Sequence, residues 1–270
     1  MIRLIAFDLD GTLMGPDQQI GPRVRRAIEA VQAQGGIVTL ATGRMFSAVL
    51  PFARELRITA PLLAYQGGWI QAPGDPAPLY RAPLPLEVAR TVLALAETQR
   101  WHTVFYADGQ IFMRGLRYPA GFYLALLGPD FHLVSDWETV LAAHTPDKVL
   151  FVADPVHIPS LGRILREQLD GQAQVFRSHA QFIEVVPQGV DKGKGLAWLA
   201  DHLGIPQASV MAVGDQENDL AMVRWAGIGV AMGNAIFALQ RAADWVAPPL
   251  DEEGAAAALE RFVLGKVSSQ

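Results

Sequence analysis

Leu4-Ile5-Ala6-Phe7 is apolar at successive positions and then breaks into Asp8-Leu9-Asp10-Gly11-Thr12. A strand with one wet face alternates apolar and polar residues. A strand without alternation has to be covered on both faces, as in a parallel sheet layered between helices. The same grammar recurs downstream. Pro22 precedes the amphipathic segment RVRRAIEAVQAQGG, which ends in Gly35 and Gly36, and GIVTLATGR repeats the buried strand with a polar end. MFSAVLPFARELRI suits a helix that accommodates Pro51, and APLLAYQGGWI supplies a third apolar segment. Strand, helix, strand, helix, strand predicts an α/β fold built on a doubly wound, Rossmann-like parallel sheet.

The pattern changes at Pro83. RAPLPLEVARTVLALAETQR reads as a helix, and HTVFYADGQIFMR as two strands around an Asp108-Gly109 turn. PDKVLFVADP, the helical IPSLGRILREQLDG and the strand-rich AQVFRSHAQFIEVVP complete an α+β pattern. After Pro187 the first grammar returns, with DKGKGLAWLADHLG as helix, ASVMAVGD as buried strand and NDLAMVRWAG as helix. The expected organisation is a core domain of residues 1–82 and 188–270 with an α+β domain, 83–187, inserted into it.

Bulk properties narrow the function. The 270 residues carry a formal net charge of -5 and no dense Lys/Arg stripe, which disfavours nucleic acid as a partner. With no cysteine, disulfides, thiolate metal sites and cysteine nucleophiles are excluded. MIRLIAF is too short and too soon interrupted by Asp8 for a signal peptide, and no apolar run approaches the ~20 residues of a membrane span. The expectation is a cytoplasmic protein without a membrane partner, and the pattern specifies no oligomeric state.

Ligands of parallel sheets gather at the carboxyl ends of the strands. Three segments deliver polar groups there: Asp8 and Asp10; Thr42, Gly43 and Arg44; and Asp215, Asn218 and Asp219 of GDQENDLAM. Carboxylates this dense repel one another unless a cation sits among them. A hard divalent ion, Mg²⁺, prefers such oxygens and keeps positions open for phosphate. Lys192 adds a fixed charge if its helix starts at the same edge. Thr42 and the backbone N–H groups around Gly11 and Gly43 suit phosphate oxygens. Each signal alone has a plainer reading, as a strand-end turn, a helix start or an acidic helix N-terminus. Tyr106, Asp108, Arg114 and Arg117 of the inserted segment have side chains that suit substrate contact, but the favoured reading for them is surface residues.

The ordered set DLDGTL, ATGR, DKGKG and GDQENDLAM closely resembles the haloacid dehalogenase-like phosphatases, and the insertion resembles the cap of their Cof-type subfamily. The resemblance spans essentially the whole chain. It implies a Mg²⁺-dependent phosphatase of small phosphomonoesters, such as sugar phosphates, working through an aspartyl-phosphate on Asp8. It also implies Asp10 as general acid and base, with Thr42, Gly43, Lys192 and Asn218 on the phosphate. Asp8, the Asp10 backbone carbonyl and Asp215 are the implied metal ligands, supported by Asp219. Two points depart from the pattern. Gln66-Gly67 stands where relatives usually have Asn-Gly, so the phosphate-side contact there is not carried over. Lys192 is assigned by its place after QGVD, with Lys194 as the alternative. A phosphomutase using the same intermediate and a non-catalytic sensor of a phosphorylated metabolite are the other readings.

Overall fold

The structure is a computed structural model that describes residues 1–127 and 130–265. The chain runs β1 (Leu4–Phe7), α1 (Pro22–Ala33), β2 (Ile37–Leu40), α2 (Phe46–Glu55), β3 (Leu62–Ala64), β4 (Trp69–Gln71) and β5 (Tyr80–Arg81). It continues through α3 (Leu86–Thr98), β6 (His102–Ala107), β7 (Gln110–Met113), α4 (Ala120–Leu127), β8 (His132–Leu133), α5 (Trp137–Ala143) and β9 (Pro146–Val152). Next come α6 (Ile158–Gln168), β10 (Ala173–His179), β11 (Phe182–Pro187), α7 (Lys192–His202), β12 (Val210–Gly214) and α8 (Leu220–Trp225). The last elements are β13 (Ile228–Ala231), α9 (Phe237–Gln240), β14 (Trp245–Val246) and α10 (Gly254–Phe262). Two units separate: residues 1–80 with 191–270, and residues 81–190. Among the described residues no helix is long and apolar enough to cross a membrane.

The first unit holds a sheet of order β14-β13-β12-β1-β2, parallel at every pairing. Alternate side chains of its central strands enter different cores. Ile5, Phe7, Met211 and Val213 pack with Val24, Ile28 and Val31 of α1 and with Ala255 and Leu259 of α10. Leu4, Ala6, Val210 and Ala212 pack with Leu196 and Leu199 of α7 and with Met222 of α8. Cover on both faces is the reason these strands lack alternation. The third apolar segment does less than the sequence predicts. Beside β2, β3 forms an isolated Ala41–Leu63 bridge rather than a ladder, and it pairs antiparallel with β4, in a separate sheet of order β3-β4-β5. Its three residues are followed at once by a turn that reverses the chain, so no longer parallel ladder can form.

The second unit is a six-stranded sheet of order β10-β11-β9-β6-β7-β8. β6 and β7 form the hairpin around Asp108-Gly109 that the sequence predicts. One face packs Phe105, Phe112, Val149, Phe151, Ile183 and Val185 against α3, α5 and α6. The other carries buried polar groups. Lys148 Nζ pairs with Glu184 at 2.8 Å and lies 4.6 Å from the centre of the Tyr106 ring. Tyr106 is therefore buried, not a surface residue. Asp108 accepts from Arg81, Arg114 pairs with Glu97, and Arg117 donates to the Arg100 carbonyl.

His102, on the same face, makes stability depend on pH. Tyr123 Oη accepts the N–H groups of Arg117 and Tyr118 at 2.7 and 3.1 Å. With both lone pairs used, its own proton goes to His102 Nε2 at 2.8 Å, which requires a neutral ring protonated on Nδ1. Burial first, then the Arg117 charge, push His102 from 6.5 down to about 4. The unfolded chain accepts a proton that the folded chain refuses, so this contribution falls as pH drops from 6.5 to about 4 and levels off below. Carboxyls raised by burial, such as Asp215, act in the opposite sense, so the effect is read as a difference. His102→Gln keeps an acceptor for Tyr123. Urea unfolding at pH 7 and pH 4 is expected to show the wild type losing about 2 kcal/mol more than this variant, after allowance for solvent screening. Parallel losses in the two proteins would refute the assignment.

Candidate active site

Asp8 follows the last residue of β1, and its N–H continues the ladder to the Val213 carbonyl at 2.9 Å. Asp215 follows β12, the neighbouring parallel strand, so the register itself sets the two carboxylates side by side. Lys192 arrives through a helix start. Asp191 caps α7 by accepting the Lys194 N–H at 2.7 Å, which makes Lys192 the first helical residue. Its fully buried ammonium bonds Asp8 Oδ1 at 2.5 Å and Asp219 Oδ1 at 2.6 Å. Lys194, by contrast, has a side chain 65% exposed, with its ammonium 3.9 Å from Asp191. The structure thus brings Lys192, not Lys194, to Asp8.

One oxygen each of Asp8, Asp215 and Asp219 lies within 4.8 Å of the others, and all three residues are buried. Their remaining contacts differentiate them. Asp219 Oδ2 accepts the N–H groups of Asp215 and Gln216, both at 2.9 Å, and its other oxygen faces Lys192. Asp215 accepts from Thr12 Oγ1 and Gln216 Nε2, each at 2.9 Å. Neither Thr12 nor Gln216 is singled out by the sequence, where the one trace of Thr12 is its place within the DLDGT run. Gly11 leaves the room this needs. Its φ is +89°, and a Cβ there would stand 2.4 Å from Asp215 Oδ2.

Asp8 and Asp219 share one ammonium with Asp215 beside them, and burial sets the sign of the Asp8 and Asp215 shifts. Burial raises Asp8 well above the usual carboxylate range; Lys192 opposes this, while Asp219, Asp215 and Asp10 reinforce it. Burial and then Asp219 push Asp215 up to about 6, against the Gln216 and Thr12 hydrogen bonds. Burial alone would lower Lys192, but the charges of Asp219 and Asp8 raise it, so it stays protonated. A buried all-oxygen cluster with surplus negative charge fits a hard divalent cation. Asp10 stands outside this group. Its carboxylate is 51% exposed and accepts Arg44 Nε at 2.7 Å and Nη2 at 2.6 Å, a two-pronged pair. Thr42 is buried two residues before Arg44, and its Oγ1 accepts the Arg44 N–H at 3.1 Å. Asn218 donates to Gln66 at 3.0 Å. Gly43 lies between Thr42 and Arg44 in the same segment.

The family model for haloacid dehalogenase-like hydrolases matches residues 5–259. The chain belongs to that family. This haloacid dehalogenase-like hydrolase is 27% identical over 274 residues to the 5-amino-6-(5-phospho-D-ribitylamino)uracil phosphatase YitU of Bacillus subtilis (strain 168), covering 96% of this chain and 97% of the relative. It is 34% identical over 237 residues to the HMP-PP phosphatase of Cronobacter sakazakii (strain ATCC BAA-894), covering 87% and 86%. A haloacid dehalogenase-like hydrolase from Bacteroides thetaiotaomicron superposes with a TM-score of 0.85 at 34% identity, covering 97% of this chain and 100% of that one. The subclass IIB sugar phosphatase BT4131 gives 0.86 at 25% identity, covering 98% and 100%. The fold and the Cof-type resemblance expected from the sequence therefore hold, and the chain is an enzyme of this hydrolase family.

Proposed function

We propose that the hydrolase removes phosphate from small phosphorylated metabolites, sugar phosphates among them, through an aspartyl-phosphate on Asp8. The observation that carries the reading is the buried contact of Asp8 with Lys192 beside Asp215 and Asp219, built from segments far apart in the chain. Relatives named for a phosphoribityl compound, for HMP-PP and for sugar phosphates support the substrate class. The inserted unit, residues 81–190, is the natural candidate for a cap that selects the leaving group.

A carboxylate oxygen of Asp8 attacks phosphorus as the bond to the leaving oxygen breaks. Asp10 gives that oxygen a proton, then takes one from the water that attacks the phosphorylated Asp8, so that phosphate departs and Asp8 is restored. Lys192 offsets negative charge on the phosphoryl oxygens. Thr42 already accepts the Arg44 N–H, which leaves its hydroxyl proton for a phosphoryl oxygen, next to the Gly43 backbone. Asn218 completes the phosphate side. Asp8, Asp215 and the Asp10 carbonyl would hold Mg²⁺, with Asp219 supporting. The ion would supply charge neutralisation at the transferring group.

The test is phosphate release from a panel of phosphorylated metabolites, with a sugar phosphate included and product identity checked for isomerisation. Treatment with EDTA is expected to lower turnover at least 100-fold, and added Mg²⁺ to restore it. Activity that ignores chelation would remove the metal from the reading, and isomerised product without free phosphate would replace hydrolysis by transfer.

A further inference from the structure

Gln66 lies in a turn of unusual backbone. Tyr65, Gln66 and Gly67 have φ of 48°, 61° and 90°, three successive residues in the left-handed region. Side chains pay for that conformation, and such strain persists where surrounding contacts enforce it. The enforcing contacts come from three polar segments of the candidate site. Tyr65 N–H donates to the Arg44 carbonyl and Gln66 N–H to the Thr42 carbonyl, both at 3.0 Å. Gly67 lies against the start of the Lys192 helix so closely that a Cβ would stand 2.8 Å from the Asp191 carbonyl oxygen. Gln66, with no exposed surface, accepts from Asn218 Nδ2 at 3.0 Å.

Asn218 is 6% exposed, and its Oδ1 is buried with no hydrogen-bond partner. A buried amide atom left unpaired is costly unless a ligand pairs with it. Turning both amides end for end would keep the Gln66 bond and leave Nδ2 over instead. Phosphoryl oxygens accept hydrogen bonds, so the turned arrangement, with Nδ2 as the free donor, is the one that suits phosphate. We propose that Gln66 is a positioning residue: rather than touching phosphate, it holds the Asn218 amide by its carbonyl oxygen so that Nδ2 is left to donate to a phosphoryl oxygen of the ligand. This rests on the placing of Asn218 at the phosphate under the proposed function. It gives the Gln66 departure a physical role, because the longer side chain spans from the turn to Asn218.

The test is a double-mutant cycle on the full chain, with Gln66→Asn, Asn218→Ala and their combination. Asn tolerates the left-handed backbone and is one methylene shorter, so Gln66→Asn is expected to keep the turn and the fold while losing reach, at the modest stability cost of the unpaired Asn218 amide. It should lower kcat/KM for a sugar phosphate about 10-fold, and the double variant should be no worse than Asn218→Ala alone. Gln66→Met, which keeps the length without the amide, should match Gln66→Asn. Losses that multiply in the double variant, or wild-type kinetics in both Gln66 variants, would overturn the proposal. The same cycle read as affinity for inorganic phosphate by calorimetry does not depend on turnover. If the wild type binds phosphate but hydrolyses no ester, the proposed function fails while this cycle still decides the Gln66–Asn218 coupling. A wild type that neither binds phosphate nor hydrolyses any ester of the panel would overturn both.

Discussion

Asp8→Asn is expected to lower phosphate release by about 10⁴-fold or more, the scale on which enzymes lose turnover when a nucleophile is removed. The substitution keeps the shape of the side chain and deletes one of three clustered charges. Burial already raises the Asp8 carboxyl, so the folded state pays to keep it ionised. Lys192 retains Asp219 as a partner in the variant. Stability should therefore stay level or rise by about 1 kcal/mol, since a site built for chemistry holds charges that folding alone would not choose. Kinetics and urea unfolding on one preparation check both halves. Turnover within 10-fold of the wild type would rule Asp8 out as the nucleophile, and a large stability loss would contradict the charge argument.

Lys192→Met has the opposite balance. The ammonium is fully buried between Asp8 and Asp219, at 2.5 and 2.6 Å. Its removal leaves two buried carboxylates without that cation, and breaking such a pair from one side costs about 3–5 kcal/mol. The cost should shrink as pH falls. Without Lys192 the main opposing charge is gone, so Asp8 takes up its proton at a higher pH in the folded variant than in the unfolded chain, and acid then favours the folded state. Urea midpoints from pH 8 to pH 5 measure this, with the gap to the wild type expected to narrow on acidification. A deficit below about 1 kcal/mol at pH 8 would show that the pair is not what holds this cluster together. Turnover should be lost as well, so the variant is informative only alongside its unfolding curve.

Much of the core was legible because strand and helix carry different periods. The unbroken apolar runs of β1 and β12 announce cover on both faces, and the cores on either side of the sheet supply it. The site segments were legible for a related reason: polar residues that end buried strands have the ligand-binding edge as their destination. Pairings between distant segments had no local signal. Nothing near Arg44 specifies that its guanidinium grips Asp10, and nothing near Gln66 specifies Asn218. The choice between Lys192 and Lys194 needed the cap, since Asp191 fixes which lysine begins the helix and so which side each faces. α4 went unread because Ala120–Leu127 is apolar nearly all round and offers no stripe. α5 does carry a local signal. Asp136 accepts the Thr139 N–H at 2.8 Å, an ordinary helix cap.

The order of the polypeptide imposes a schedule on its own assembly. Leu4 of β1 pairs in register with Ile37 of β2, made soon after it, but also with Val210 of β12, so one edge of β1 must wait for a neighbour made about 200 residues later. At ~5–20 residues per second that delay on the ribosome is roughly 10–40 s, long enough for the open edge of an apolar strand to meet other chains. Residues 81–190, contiguous and rich in hairpin contacts between neighbouring strands, can finish first and leave the amino-terminal piece parked until its complement emerges.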